Sequence, residues 1–275
     1  MAKPERADEL QSTGASVGEF LHGLVVAVTG GASGIGQAST FRVAQEGARV
    51  AVIDRDEALG RETVEEIRHG GGEAAFHRAD VTSGADLAAC FDAIEAEWGR
   101  IDGLHNNAGV NGPTAMTEDY DEQDFDRVIA TNLKAVWLGT KAVIPHLRRA
   151  GGGAIVNTGS TASLTGYAAL GGYVAAKHGV LGLTKTAAVE YAPERIRVTC
   201  ICPGPVDTPL QRGIEETLMP DDPAAAHELF AATTALKRYA RPEEIAELAV
   251  FLLGDEASYL TGAAYSIDAG VLAGP

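Results

Sequence analysis

From Gly23 onward the sequence alternates short apolar runs with longer amphipathic stretches, and this rhythm restricts the fold more than any other feature of the 275 residues. Residues 24–29, 49–53, 74–79, 101–106, 154–158, 196–202 and 264–268 read as seven strands. Residues 35–46, 56–68, 86–98, 121–149 (bent near Pro145), 173–191 and 242–253 read as helices. Strands alternating with helices imply right-handed crossovers, and therefore a doubly wound parallel α/β sheet covered on both faces. The strands are apolar along their whole length, as burial on both sides requires. No linker or second rhythm intervenes, so residues 23–275 read as one domain and residues 1–22 as a flexible polar arm. Residues 203–241 break the pattern with five prolines, too long for an ordinary connection, and read as a functional insertion.

Composition excludes several classes of function. Lys and Arg number 22 against 38 Asp and Glu, a formal charge of −16, which opposes binding to a phosphate backbone by a basic face. Residues 150–176 carry no charge but are rich in Gly, Ser and Thr, so they do not read as a membrane span. The first 22 residues lack the apolar core of a signal peptide, and a cytoplasmic location is expected. Cys90, Cys200 and Cys202 read as reduced core thiols, the last two placed on opposite faces of their strand. The seven histidines show no metal-ligand spacing, so no metal is expected.

The first strand runs straight into Thr29-Gly30-Gly31-Ala32-Ser33-Gly34-Ile35-Gly36, and a helix follows. Glycines there permit a tight turn and close approach of a pyrophosphate, while the helix N-terminus offers N–H groups and a positive dipole end. Asp54 ends the second strand, where a carboxylate accepts both ribose hydroxyls of NAD and repels a 2′-phosphate. Arg55 pulls the other way, but a single arginine leaves NAD favoured over NADP.

Tyr173 and Lys177 are four apart in a helical stretch, on one face and one turn from each other. A nearby ammonium favours phenolate over phenol, so this spacing suits a tyrosine that exchanges a proton near neutral pH. Such a pair taken by itself is usually a plain helix face with a snorkelling lysine. Here Ser160 follows the fifth strand, Asn107 the fourth, and Asn132 lies in the next helix. Parallel strands gather these ends along one crevice.

Together, Thr29 to Gly36, Asp80-Val81, Asn106 to Gly109, Ser160, Tyr173, Lys177 and Pro203-Gly204 resemble the short-chain dehydrogenase/reductase family over residues 24–275. The resemblance implies a seven-stranded Rossmann sheet of order 3-2-1-4-5-6-7. It implies Ser160 as the group orienting the substrate oxygen and Tyr173 as general acid/base. Lys177 would lower the Tyr173 pKa and hold the nicotinamide ribose, and Asn132 would hold a relay water. Cofactor contacts are implied for Gly30, Ser33, Gly34, Ile35, Gly36, Asp54, Arg55, Asp80, Val81, Asn107, Ala108, Gly109, Tyr173, Lys177, Pro203, Gly204, Val206 and Thr208. The substrate pocket is expected to include Ser160, Ala162, Tyr167, Tyr173, Pro205 and Leu210. The function expected is NAD-dependent interconversion of a small secondary alcohol and a ketone, by a homotetramer built partly from the helices at 173–191 and 243–253. The alternatives are a 3-oxoacyl thioester reductase of the same family and a non-catalytic nucleotide-binding regulator. The regulator would be expected to lack Ser160, Tyr173 or Lys177, and all three are present.

Overall fold

In the computed structural model, which describes residues 20–274, seven parallel strands form one sheet. They are β1 (Val25–Thr29), β2 (Arg49–Asp54), β3 (Glu73–Arg78), β4 (Gly103–Asn106), β5 (Gly153–Thr158), β6 (Ile196–Pro203) and β7 (Ala264–Ile267). Their order is β3-β2-β1-β4-β5-β6-β7, as expected. After β3 the chain returns across the sheet to place β4 on the far side of β1. That reversal opens a crevice at the carboxyl ends of the two strands.

Helices α1 (Gly34–Gln45), α2 (Glu57–His69) and α9 (Pro242–Leu253) contribute to the core on one side of the sheet. There Val26, Val28, Val50 and Val52 pack with Val43, Val64, Ile245 and Val250. Helices α3 (Gly84–Trp98), α5 (Ala135–Ala150) and α6 (Gly171–Tyr191) contribute to the other side, where Val25, Ala27, Ile53 and Ile155 meet Phe91, Ile94, Val143 and Leu147. Arg42 Nε on α1 donates to Glu247 Oε1 on α9 at 2.7 Å, tying the first helix to the last.

Three features differ from the sequence reading. The long helix read over 121–149 carries Pro145 inside α5. It is divided into α4 (Glu122–Ile129) and α5 by a π turn, Ala130–Lys134, in which the Ala135 N–H reaches back five residues to the Ala130 carbonyl. The cause is tertiary: buried Asn132 pairs both its amide groups with the backbone of Val110. Cys200 and Cys202 do not face opposite ways. Residues two apart on a strand share a face, and their sulfurs lie 3.9 Å apart, reduced and buried. The insertion after β6 carries two helices, α7 (Pro209–Leu218) and α8 (Pro223–Thr233).

Most of the arm assigned to 1–22 lies outside the described residues. Its end is tied down: the N–H groups of Phe20 and Leu21 donate to Glu46, and Leu21 is fully buried.

Candidate active site

A cavity of about 750 Å³ runs along the carboxyl ends of the strands, from Asp54 and Asp80 at one end to Ser160 and Tyr173 at the other. Its floor begins in the turn between β1 and α1. Gly34 holds φ at +52°, and a Cβ on Gly30 would stand 2.9 Å from the Ala108 Cα. Glycine is required where two backbones come this close. Ser33 precedes α1 without capping it through its side chain, so the first N–H groups of α1 are left for an anion.

Asp54 is fixed at the rim of this turn. Its carboxylate accepts from the Ala32 N–H at 3.2 Å and from the Asp56 N–H at 3.1 Å. Asp80 accepts from both the backbone and the hydroxyl of Thr82, and these bonds hold its pKa below the usual carboxylate value. With Arg55, Val81, Asn107, Ala108 and Gly109 these side chains line one half of the cavity. A cleft of this size, with carboxylates at one end and a phosphate cradle between them and the proton-handling groups, fits a dinucleotide.

The other half holds the proton-handling groups. Tyr173 sits in the first turn of α6, and Lys177 follows one turn later, buried. The Lys177 ammonium donates to the Thr158 carbonyl at 2.8 Å and lies 5.6 Å from the centre of the Tyr173 ring. Burial pushes the Lys177 pKa down to about 8, which still leaves the amine mostly charged at pH 7. Burial raises the Tyr173 phenol above its ordinary value, and the hydrogen bond from Ser160 works against it. Desolvation is the larger of the influences on the phenol in this chain. Ser160 Oγ accepts from the Ala162 N–H at 3.1 Å, which leaves its own hydrogen able to turn from the phenol to a substrate oxygen.

Nearly all the residues singled out from the sequence line this one cavity: Gly30, Ser33, Gly34, Ile35, Asp54, Arg55, Asp80, Val81, Asn107, Ala108, Gly109, Ser160, Ala162, Tyr167, Tyr173, Lys177, Pro203, Gly204, Pro205, Val206, Thr208 and Leu210. Two do not. Gly36 packs beneath the turn, where a Cβ would strike the Gly30 carbonyl. Asn132 spends its side-chain amide on Val110, so any contact it makes with a relay water falls to its backbone. Tyr167 forms part of the wall, its hydroxyl donating to Thr161 at 2.9 Å. Arg212 turns away from the cavity to pair with Asp207. Sequence reasoning missed Arg127, Thr131, Phe230 and Thr233, which also line the cleft. Arg127 and Thr131 could have been found from their spacing of four, which puts them on one side of their helix.

A family model described as enoyl-(acyl carrier protein) reductase matches residues 30–272. Levodione reductase of Leifsonia aquatica is 39% identical over 253 residues, covering 90% of this chain and 93% of that protein. Its likeness extends to three dimensions: a crystal structure of levodione reductase superposes with a TM-score of 0.91 at 37% identity, covering 93% of this chain and all of that one. Cyclohexanol dehydrogenase of an Acinetobacter strain is 39% identical, over 89% of this chain and 93% of that protein. A 3-oxoacyl-acyl-carrier-protein reductase of Thermotoga maritima is 36% identical, over 92% and 99%. The chain belongs to the short-chain dehydrogenase/reductase family. It is an oxidoreductase of the kind that works with a nicotinamide cofactor.

Proposed function

We propose that this oxidoreductase interconverts small, neutral, cyclic secondary alcohols and their ketones, with NAD rather than NADP. The reading of the substrate rests on the wall around Ser160 and Tyr173. Ala162, Tyr167, Leu170, Pro205, Leu210 and Phe230 line the cleft without charge, and Arg127, which also lines it, pairs with Asp124 at 2.6 Å. The likeness to levodione reductase and cyclohexanol dehydrogenase supports a ring substrate.

The residues divide the chemistry among themselves. Tyr173 takes the hydroxyl proton in oxidation and returns it in reduction. Ser160 donates a hydrogen bond to the same oxygen and so orients the carbinol carbon. Lys177 keeps a positive charge beneath the phenol. When bound, the nicotinamide accepts or gives the hydride. Orientation and proton transfer are what the protein supplies.

Asp54 carries the cofactor reading. A carboxylate held by two backbone N–H groups at the rim of the phosphate turn favours two ribose hydroxyls over a 2′-phosphate. The experiment is a comparison of kcat/KM with NAD and with NADP over a panel of cyclohexanols, cyclopentanol and acyclic alcohols. NAD is expected to win by at least roughly tenfold, and Asp54→Ala to erase most of that margin. A wild-type preference for NADP would overturn the cofactor reading.

The Thermotoga relative favours a second reading, reduction of a 3-oxoacyl thioester. A charge of −16 opposes docking of an acidic carrier protein, so the first reading is preferred. We further propose a homotetramer working in the cytoplasm, without membrane or nucleic acid. Among the described residues no helix is long and apolar enough to cross a membrane.

A further inference from the structure

Two polar side chains occupy places in the sheet core that apolar ones would fill equally well. His105 lies in β4 with none of its surface exposed, and Thr158 ends β5 beside the cleft. His105 Nε2 lies 2.9 Å from Thr158 Oγ1, which in turn lies 3.2 Å from Asn107 Oδ1.

The direction of this chain follows from counting hydrogens. Asn107 Nδ2 donates to the Thr29 carbonyl at 3.3 Å, so the amide oxygen is the atom that faces Thr158. The Thr158 hydroxyl must donate to that oxygen. It then has only lone pairs for His105, and Nε2 carries the hydrogen. Burial is consistent with this, since it pushes the His105 pKa down to about 3 and keeps the ring neutral with a single N–H. His105 Nδ1, the other nitrogen, has no hydrogen-bond partner among the described residues, as suits the one without a hydrogen.

Asn107 and Thr158 both reach the active cleft. A Cβ on Gly36 would come within 2.6 Å of Asn107 Nδ2, and one on Gly30 within 3.2 Å, so the Asn107 amide is wedged into the phosphate turn. The Thr158 carbonyl accepts the Lys177 ammonium at 2.8 Å. Thr158 is thus shared between the phosphate turn and the lysine, and the His105 N–H, by occupying a lone pair of its oxygen, holds the hydroxyl hydrogen on Asn107. An apolar side chain at 105 would fill the space but leave that hydroxyl to rotate.

We infer that His105 is a positioning residue, acting through Thr158 to fix the phosphate turn for the dinucleotide and the acceptor that holds Lys177. The inference rests on the reading of this cleft as the cofactor site.

Binding of NADH to the purified full-length chain, followed by fluorescence, tests it, with melting temperature and KM for NAD read in parallel. His105→Leu removes the N–H at similar bulk, Thr158→Val removes the hydroxyl at the same shape, and His105→Gln keeps an N–H at the place of Nε2. His105→Leu and Thr158→Val are each expected to weaken NADH binding roughly tenfold, and the double variant no further, while His105→Gln stays within about twofold of wild type. Should His105→Leu fail to fold, Thr158→Val and His105→Gln carry the comparison. Wild-type affinity in His105→Leu or Thr158→Val, equal losses in the Leu and Gln variants, or additive losses in the double variant would each overturn the inference while leaving the cofactor reading intact. A wild-type chain that binds neither NADH nor NADPH would overturn both.

Discussion

Tyr173 meets two opposing influences, and their balance decides what it does. Burial raises its pKa and Ser160 lowers it, so the phenol rests protonated until a further positive charge enters the cleft. Tyr173→Phe is expected to lower kcat by at least roughly a hundredfold while NADH still binds, the signature of a lost acid/base rather than a lost pocket. Fluorescence titration beside steady-state kinetics would show it, and unchanged turnover would remove Tyr173 from the proton path. His105 also bears on stability. Its folded pKa, pushed down to about 3, lies below the unfolded value near 6.5, so the unfolded chain binds the proton first. The stability tied to the neutral ring is therefore present above pH 6.5 and is lost as the pH falls from there toward 3. Between pH 7 and pH 5 the loss from this group is about 2 kcal/mol. Chemical denaturation at the two pH values should show a smaller drop for His105→Gln; an equal drop would mean the ring protonates in the fold. At this scale the sequence was readable where a residue type has few alternatives, as with Asp54 after a strand or Tyr173 and Lys177 four apart. It was not readable for Thr158 and His105, whose roles depend on β4 and β5 lying side by side.

Strands and their helices were legible because a doubly covered sheet demands continuous apolar runs, and β1 and β2 show them directly. The π turn at Ala130–Lys134 was not, because its cause lies 22 residues away in the Val110 backbone. Helix α8 was missed although Asp222 before Pro223 is a readable start signal, with the Asp222 carboxylate accepting from the Ala225 N–H. Helices α7 and α8 are held unequally. Helix α7 is pinned by Thr208 at its start, by Asn111 donating to the Leu210 carbonyl at 2.5 Å, and by the Tyr239 hydroxyl donating to buried Glu215 at 2.6 Å. The side-chain tie from α8 to α7 is His227, 3.3 Å from that same carboxylate. Helix α8, which brings Phe230 and Thr233 to the cleft, is thus the element expected to move as substrate enters. Tyr239→Phe leaves the Glu215 carboxylate with His227 alone and should raise the KM for alcohols roughly fivefold with little change for NAD. Hydrogen exchange over 209–233 should quicken in that variant and slow in the wild type when cofactor and alcohol are added together. Equal exchange in all three states would mean the two helices are rigid.

The whole molecule leaves apolar side chains on its outer helices. Trp137 on α5 is 44% exposed, Val189 on α6 is 79% exposed and Phe251 on α9 is 43% exposed. Apolar surface of this kind on a chain of charge −16 is more naturally covered by another copy of itself than left to water. Light scattering is expected to give four times the 28.5 kDa protomer, and Val189→Glu to shift it toward smaller species. A monomer at micromolar concentration would exclude the tetramer.

The contact between α1 and α9 also has a consequence in time. Helix α1 carries the phosphate turn at its N-terminus, yet the partner of its Arg42 is Glu247, more than two hundred residues later. While the chain is being synthesised, the part of α1 that α9 covers in the fold stays uncovered until residues 242–253 have been made. A chain stalled before α9 would leave the helix that carries the phosphate turn without that partner.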